Sequence, residues 1–223
     1  MEAEMTGPKR FIIFTFIAIL IVSLSYVFAA EEWGGGEEMF LAAKDKRFLL
    51  STARKSIEHH FKGKKYTPNL KDYPHLVNMK AGVFVTIDRH TDIRGCRGTL
   101  DPYCPDVVQE VCKMAVASAM RGERYSPINP GELKECRISI TIVQSLIPIS
   151  TVKNVTKSDG IVFKTGGKAG VVLPYEGSDP YTRLKWAYLK VGIEPAESLL
   201  ESPLKDIFLM KAIRFADGDP EMK

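Results

Sequence analysis

The residues best placed to do chemistry lie in one short run, Ile93-Arg94-Gly95-Cys96-Arg97-Gly98-Thr99-Leu100. Its single cysteine is flanked by two glycines and has an arginine on either side. Gly95 and Gly98 permit close backbone approach or positive φ. Arg94 and Arg97 would favour a thiolate if their side chains turned toward Cys96, since a cationic neighbour lowers a thiol pKa. In an extended strand, however, the two neighbours of a residue project to the opposite face. Two readings of Cys96 stay open. It is a nucleophile in a cleft, with Arg94 and Arg124 orienting an anionic substrate, as the bidentate fork of arginine suits carboxylate or phosphate. Or it is a small core residue on a tight strand, where free cysteines are commonly found. Gly95, Gly98 and Thr99 complete the candidate binding set. A nucleophile would want a basic partner, usually histidine. Of His59, His60, His75 and His90, only His90, in the turn before the motif, is close in sequence.

Metal chemistry has weaker support. Cys96, Cys104, Cys112 and Cys136 form no C-x-x-C pair, so no structural zinc site is expected. Cys136 shares a strand face with Ile138 and Ile140 and reads as core. In an oxidising compartment four cysteines would allow up to two disulfides, in any of three pairings. Thr165-Gly166-Gly167-Lys168 has the wrong spacing for a phosphate loop and reads as a hairpin turn. Nothing in the sequence points to a cofactor.

The elements that would position these residues follow from periodicity. Leu50, Ala53, Ile57 and Phe61 predict a helix. A polar loop with Pro68 and Pro74 follows. Gly82–Ile87 and Ile93–Leu100 predict a hairpin around Asp88–Asp92. Asp101-Pro102 and Pro105 open a helix with the stripe Val107/Val108, Val111, Ala115 and Ser118/Ala119, closed by Arg121-Gly122. Ile138, Ile140 and Ile142 alternate with Ser139 and Thr141 as a half-buried strand. Gly160–Lys164 and Ala169–Leu173 predict a second hairpin. Ser178-Asp179-Pro180 starts a helix carrying Tyr181, Leu184, Tyr188 and Val191, with Gly192 as its cap. Ile207–Phe215 is a last strand. Hairpins mixed with helices, without strict alternation, indicate an α+β fold.

The chain has 223 residues, 45% hydrophobic and 26% charged, which excludes a disordered or collagenous protein. A net charge of +4 from 31 basic and 27 acidic residues, with no dense basic stripe, gives no reason to expect a nucleic-acid partner. Residues 11–30 are an uncharged apolar run about 30 Å long as a helix, enough for a bilayer. Lys9 and Arg10 precede it, and Glu31 and Glu32 follow. The positive-inside tendency places the N-terminus in the cytoplasm and the remainder outside. The alternative is a signal peptide cleaved near Ala29 or Ala30, giving a secreted domain. The expected organisation is a cytoplasmic tail (1–10), a signal anchor (11–30), a Gly-rich linker (31–43), one domain (44–215) and a flexible tail (216–223).

The run around Cys96 resembles the signature of the AMMECR1 domain family, an Arg-Gly-Cys-x-Gly-Thr stretch. Further blocks agree in order: Arg124-Tyr125-Ser126-Pro127, Arg137–Val143 with Pro148-Ile149, Gly160–Pro174, and Lys190-Val191-Gly192-Ile193. The resemblance covers residues 44–215. It departs at Arg97, where an aliphatic residue is usual, at Gly122 in place of an aspartate, at a shortened Tyr175–Asp179 segment, and at Tyr188, where cysteine is frequent. An N-terminal membrane segment is also atypical of the family. The resemblance implies a two-part α+β fold with a cleft, an antiparallel or mixed sheet flanked by helices, and an association with Memo-like and radical SAM proteins. It implies no defined reaction. The function it leaves is that of a membrane-anchored cleft enzyme or enzyme partner using Cys96; the alternative is a non-catalytic protein-binding or adaptor module in which the motif strand is structural.

Overall fold

Isoleucines at every second position of one long strand set the architecture. In the computed structural model, which describes residues 40–120, 125–177, 179–196 and 204–222, Ile138, Ile140 and Ile142 are fully buried. They sit on β3 (Cys136–Pro148), opposite Ile87, Val85 and Val83 of β1 (Val83–Arg89). Period-two alternation puts all six on one face. Burying each isoleucine contributes about 1.5–3 kcal/mol relative to leaving it exposed.

Around that pair the sheet has six strands. β2 (Asp92–Gly98) forms the hairpin with β1, β4 (Gly160–Thr165) and β5 (Lys168–Val172) form the second hairpin, and β6 (Ile207–Ala216) joins the two halves. The order is β2-β1-β3-β6-β4-β5, and every ladder is antiparallel. Instead of the two-part body expected from the family resemblance, one continuous sheet runs through residues 40–223, which form one compact unit. β2 and β5 are its edge strands.

Helices cover the isoleucine face. α1 (Ala43–Phe61) buries Leu49, Leu50, Ala53 and Ile57, the 3–4 spacing of an amphipathic helix. A single turn, α2 (Pro74–Asn78), appears in the loop after it, started by Pro74 at a position that tolerates proline. α3 (Val107–Met120) buries Val107, Val108, Val111, Ala115 and Ala119. At the other end α4 (Pro180–Leu189) packs Leu184, Ala187 and Tyr188 on Ile161, Phe163 and Val172. The opposite sheet face has its own apolar cluster of Phe84, Val143, Val162, Leu173 and Met210.

α4 is anchored by polar contacts as much as by its stripe. Asp179 caps it, its carboxylate accepting the Tyr181 and Thr182 amides at 3.0 Å. Arg183, 2% exposed, donates to the carbonyls of Thr156 at 2.8 Å and Leu173 at 3.4 Å, and also to that of Asp159. Three loop carbonyls thus converge on one buried guanidinium.

The membrane helix is a correction. The apolar run at residues 11–30 lies outside the described residues, and among the described residues no helix is long and apolar enough to cross a membrane. The longest, α1 with 19 residues, carries Lys44, Lys46, Arg47, Arg54 and Lys55 and lays one face on the sheet. The fold is an α+β domain with no transmembrane helix shown before it. The membrane partner, the signal anchor, the cytoplasmic N-terminus, the external or secreted domain and the disulfide option that depended on it are set aside; all four cysteines are free.

Arg183→Met leaves three buried carbonyls without their donor and is expected to destabilise the fold by about 2–4 kcal/mol, against about 1 kcal/mol for Asp179→Ala. Urea denaturation followed by circular dichroism measures both; equal, small losses would contradict this role for Arg183.

Candidate functional site

Arg94, Gly95, Cys96, Gly98 and Thr99 each have a structural task. The β1–β2 ladder pairs Gly95 with Ile87 and then Ile93 with Asp88, so Arg94 is an extra residue, a β-bulge. A bulge re-aims its side chain. Arg94 accordingly reaches Glu132 in the 3-10 helix Glu132–Glu135, with Nε donating to Oε1 at 2.5 Å and Nη2 to Oε2 at 3.4 Å. The pair works both ways: the Arg94 guanidinium holds the Glu132 carboxyl below the usual glutamate range, and Glu132 raises Arg94.

Gly95 lies flat on α3. A Cβ there would overlap the Ser118 carbonyl oxygen, and one at Gly98 would overlap the Phe84 ring. Ser118, on the same contact, donates its hydroxyl to the Val85 carbonyl at 2.7 Å. Thr99 closes the motif by donating to Oε1 of Glu110 at 2.8 Å. Glu110 is completely buried, and its other oxygen accepts the amides of Tyr103 and Cys104 at 3.0 and 2.8 Å. This buried carboxylate with three donors fixes the turn from β2 into α3.

Cys96 faces Thr86 across the ladder, and the Thr86 hydroxyl donates to its Sγ at 3.3 Å. Burial pushes the Cys96 thiol above the ordinary cysteine value, more than the Thr86 bond offsets. Burial likewise raises Cys104, Cys112 and Cys136.

Beside the motif runs a groove of about 730 Å³. One border is β2, through Ile93, Cys96, Arg97 and Gly98; the other is β5 and α4, through Val171, Trp186 and Lys190. Tyr175, at φ 66°, overhangs it and meets the Arg214 guanidinium 5.8 Å from its ring centre. Lys190 Nζ donates to the Val171 carbonyl at 2.6 Å and to Glu176 at 3.0 Å. A second depression of about 610 Å³, between α1 and the 3-10 helix, contains none of the residues nominated from sequence.

The structure therefore separates the nominated residues. Cys96 and Gly98 line the groove, whereas Arg94, Gly95 and Thr99 are committed to Glu132, α3 and Glu110. Arg124 lies outside the described residues, although its neighbour Tyr125 borders the groove. His75 pairs with Asp45 at 3.1 Å, His59 stacks edge-on against Tyr66, and among the described lining residues there is no histidine. The reading of the chain as a membrane-anchored cleft enzyme working through Cys96 gives way to its non-catalytic alternative: burial raises the thiol, and Arg94 is paired with Glu132. No group of three His, Cys, Asp or Glu side chains among the described residues is placed to hold a metal.

Sequence reasoning missed Glu110, Glu132 and Arg183. Glu110 had a signal, a lone carboxylate inside the apolar stripe Val107/Val108–Val111. Glu132 and Arg183 had none, since their partners are backbone groups or side chains brought together only by folding.

Comparison with known proteins agrees with this geometry. A profile of the AMMECR1 family matches residues 50–209. A protein of Methanothermobacter thermautotrophicus is 26% identical over 166 residues, covering 70% of this chain and 86% of that protein. One of Sulfolobus acidocaldarius is 33% identical over 165 residues, covering 66% of this chain and 71% of its own length. The crystal structure of an uncharacterized protein from Pyrococcus horikoshii is similar at a TM-score of 0.68 and 27% identity, over 78% of this chain and 92% of that one. The Memo-like and radical SAM association rested on the resemblance alone, gains no support from these relatives, and is set aside.

Gly95→Ala is expected to lower stability by about 2–3 kcal/mol, because the new methyl meets helix backbone; a loss under about 0.5 kcal/mol, the range of neutral surface changes, would contradict the close contact. The Arg94–Glu132 pair adds a pH dependence. A carboxyl whose folded pKa is lowered stabilises above its unfolded pKa and loses that contribution as pH falls through the folded value. Arg94→Met should therefore flatten the acid side of the stability profile, below the ordinary glutamate range, as read by thermal melts across pH. An unchanged acid limb would contradict the pairing.

Proposed function

This chain belongs to the AMMECR1 family, and we propose that it works as a protein-binding module whose Arg-Gly-Cys-x-Gly-Thr strand is framework rather than reaction centre. One observation carries the reading: the Arg94, Cys96 and Thr99 side chains of the motif are engaged in holding the fold. Arg94 is paired with Glu132, Thr99 with Glu110, and the half-buried Cys96 thiol accepts from Thr86 and is raised. A nucleophilic cysteine needs the opposite environment, electropositive and accessible, with a depressed pKa.

The adjoining groove supplies the binding surface. Ile93, Tyr175 and Trp186 stand around it 39%, 60% and 40% exposed. Large side chains left accessible beside a concavity are what partner recognition uses, with aromatic anchors contributing most of the affinity. On α4, Leu189 continues the exposed surface from Trp186, one turn further on.

Labelling of the native protein with iodoacetamide near neutral pH, scored by mass spectrometry at each cysteine, tests the reading. Cys96 is expected to react more slowly than an ordinary exposed thiol, with no selectivity over the other three cysteines. Rapid, selective modification of Cys96 in the folded protein would overturn it.

A further inference from the structure

The depression of about 610 Å³ between α1 and the 3-10 helix Glu132–Glu135 combines apolar walls with lysines. Phe61, Pro130 and Leu133 line it, and Lys62 and Lys134 stand beside them. Both lysines are exposed and make no ion pair among the described residues. The same holds for Lys55 on α1 and for Lys64 and Lys65 just beyond its end.

The carboxylates near these lysines are already taken by arginines. Glu132 and Glu135, on either side of Lys134, pair with Arg94 and Arg89, and Asp217 pairs with Arg54. Arg54 also lines the depression, but it is committed to Asp217 and to the carbonyls of Leu133 and Cys136. Glu58 is the one anion among the described lining residues. The lysine charge is therefore unspent within the chain.

A segment of this same chain shows what suits α1. Asp217, Asp219 and Glu221 carry carboxylates at every second position. They pair with Arg54 at 2.7 Å, Arg137 at 2.6 Å and Lys46 at 2.9 Å. Lys46 and Arg54 belong to α1, and Arg54 borders both this acidic run and the depression.

We infer that the depression takes an acidic segment of a partner protein, with carboxylates on Lys62 and Lys134 and an apolar side chain against Phe61 and Leu133. The class of partner rests on the protein-binding reading above; the surface is distinct from the motif groove. A nucleic-acid strand fits less well. Bases stack on accessible aromatic faces, whereas Phe61 is half-buried and Tyr66 is met edge-on by His59. Phosphate is best held by arginine forks, and the arginine here is spent. The helix end presents few bare carbonyls to an anion, since those of His59 and His60 accept the amides of Lys62, Gly63 and Lys64 at 2.9–3.0 Å.

The test is fluorescence anisotropy of the full chain with a labelled peptide of glutamates around one phenylalanine. The comparison probes are a peptide of glutamates alone and an oligothymidylate of equal charge. The phenylalanine peptide is expected to bind most tightly, to weaken as salt rises, and to shift the amide resonances of Lys62 and Lys134. Lys62→Glu with Lys134→Glu should weaken it about tenfold, and Glu58→Gln should tighten it about twofold. Lys153→Glu, on a distant exposed loop, should leave it unchanged. All these positions are exposed, and circular dichroism checks that the variants fold. Absence of binding at millimolar peptide, or binding indifferent to the paired lysine change, overturns the proposal. Equal binding of the all-glutamate peptide overturns the apolar contact, and tighter binding of the oligothymidylate overturns the choice of partner. Each of these failures leaves the protein-binding reading standing; rapid labelling of Cys96 in the folded chain would bring that reading down instead.

Discussion

Contact without side chains between an edge strand and a helix governs this domain. β2 can lie on α3 only because position 95 has no Cβ to meet the Ser118 carbonyl. The same device recurs at the opposite edge, where a Cβ on Gly170 of β5 would overlap the Ala187 carbonyl of α4. Interiors are packed near the density of organic crystals, so one methyl at such a point must displace backbone. Each edge strand is pinned to a helix in this way.

Polar groups complete what the glycines begin. Glu110 gathers Thr99 and two amides at the exit of β2, and Arg183 gathers carbonyls at the entry of α4. Both are buried charged groups whose hydrogen-bonding capacity is largely met by the chain, the condition under which burial of a charge is tolerable. The motif reads as chemistry because arginine, cysteine and threonine are reactive types. In the folded chain the same residues are a bulge pair, a cross-strand contact and a turn lock.

Much of the fold was legible in the residues. The Ile138–Ile142 alternation and the Leu50–Ile57 stripe correspond to β3 and α1, because side-chain period follows directly from backbone geometry, and the turn clusters Asp88–Asp92 and Thr165–Lys168 correspond to the hairpins. The order of strands was not legible, since β6 reaches between β3 and β4 from the far end of the chain. The candidate site was legible in part. Cys96 and Gly98 do border a groove, but the partner that Arg94 takes was not legible. The bulge that turns it toward Glu132 depends on a register set by β1. The groove's other wall, from Tyr175 to Lys190, lies some eighty residues away in sequence and had no local signal tying it to the motif.

The protonation of Cys96 separates a framework strand from a reaction centre. The direct measurement is an ultraviolet thiolate titration of a variant keeping Cys96 alone, with Cys104, Cys112 and Cys136 replaced by serine or alanine and its fold checked by circular dichroism. Thiolate absorbance appearing only above the ordinary thiol range, as burial against Thr86 requires, is the result expected of a framework strand. A thiolate already formed near neutral pH in the folded domain would contradict it and return the motif to chemistry.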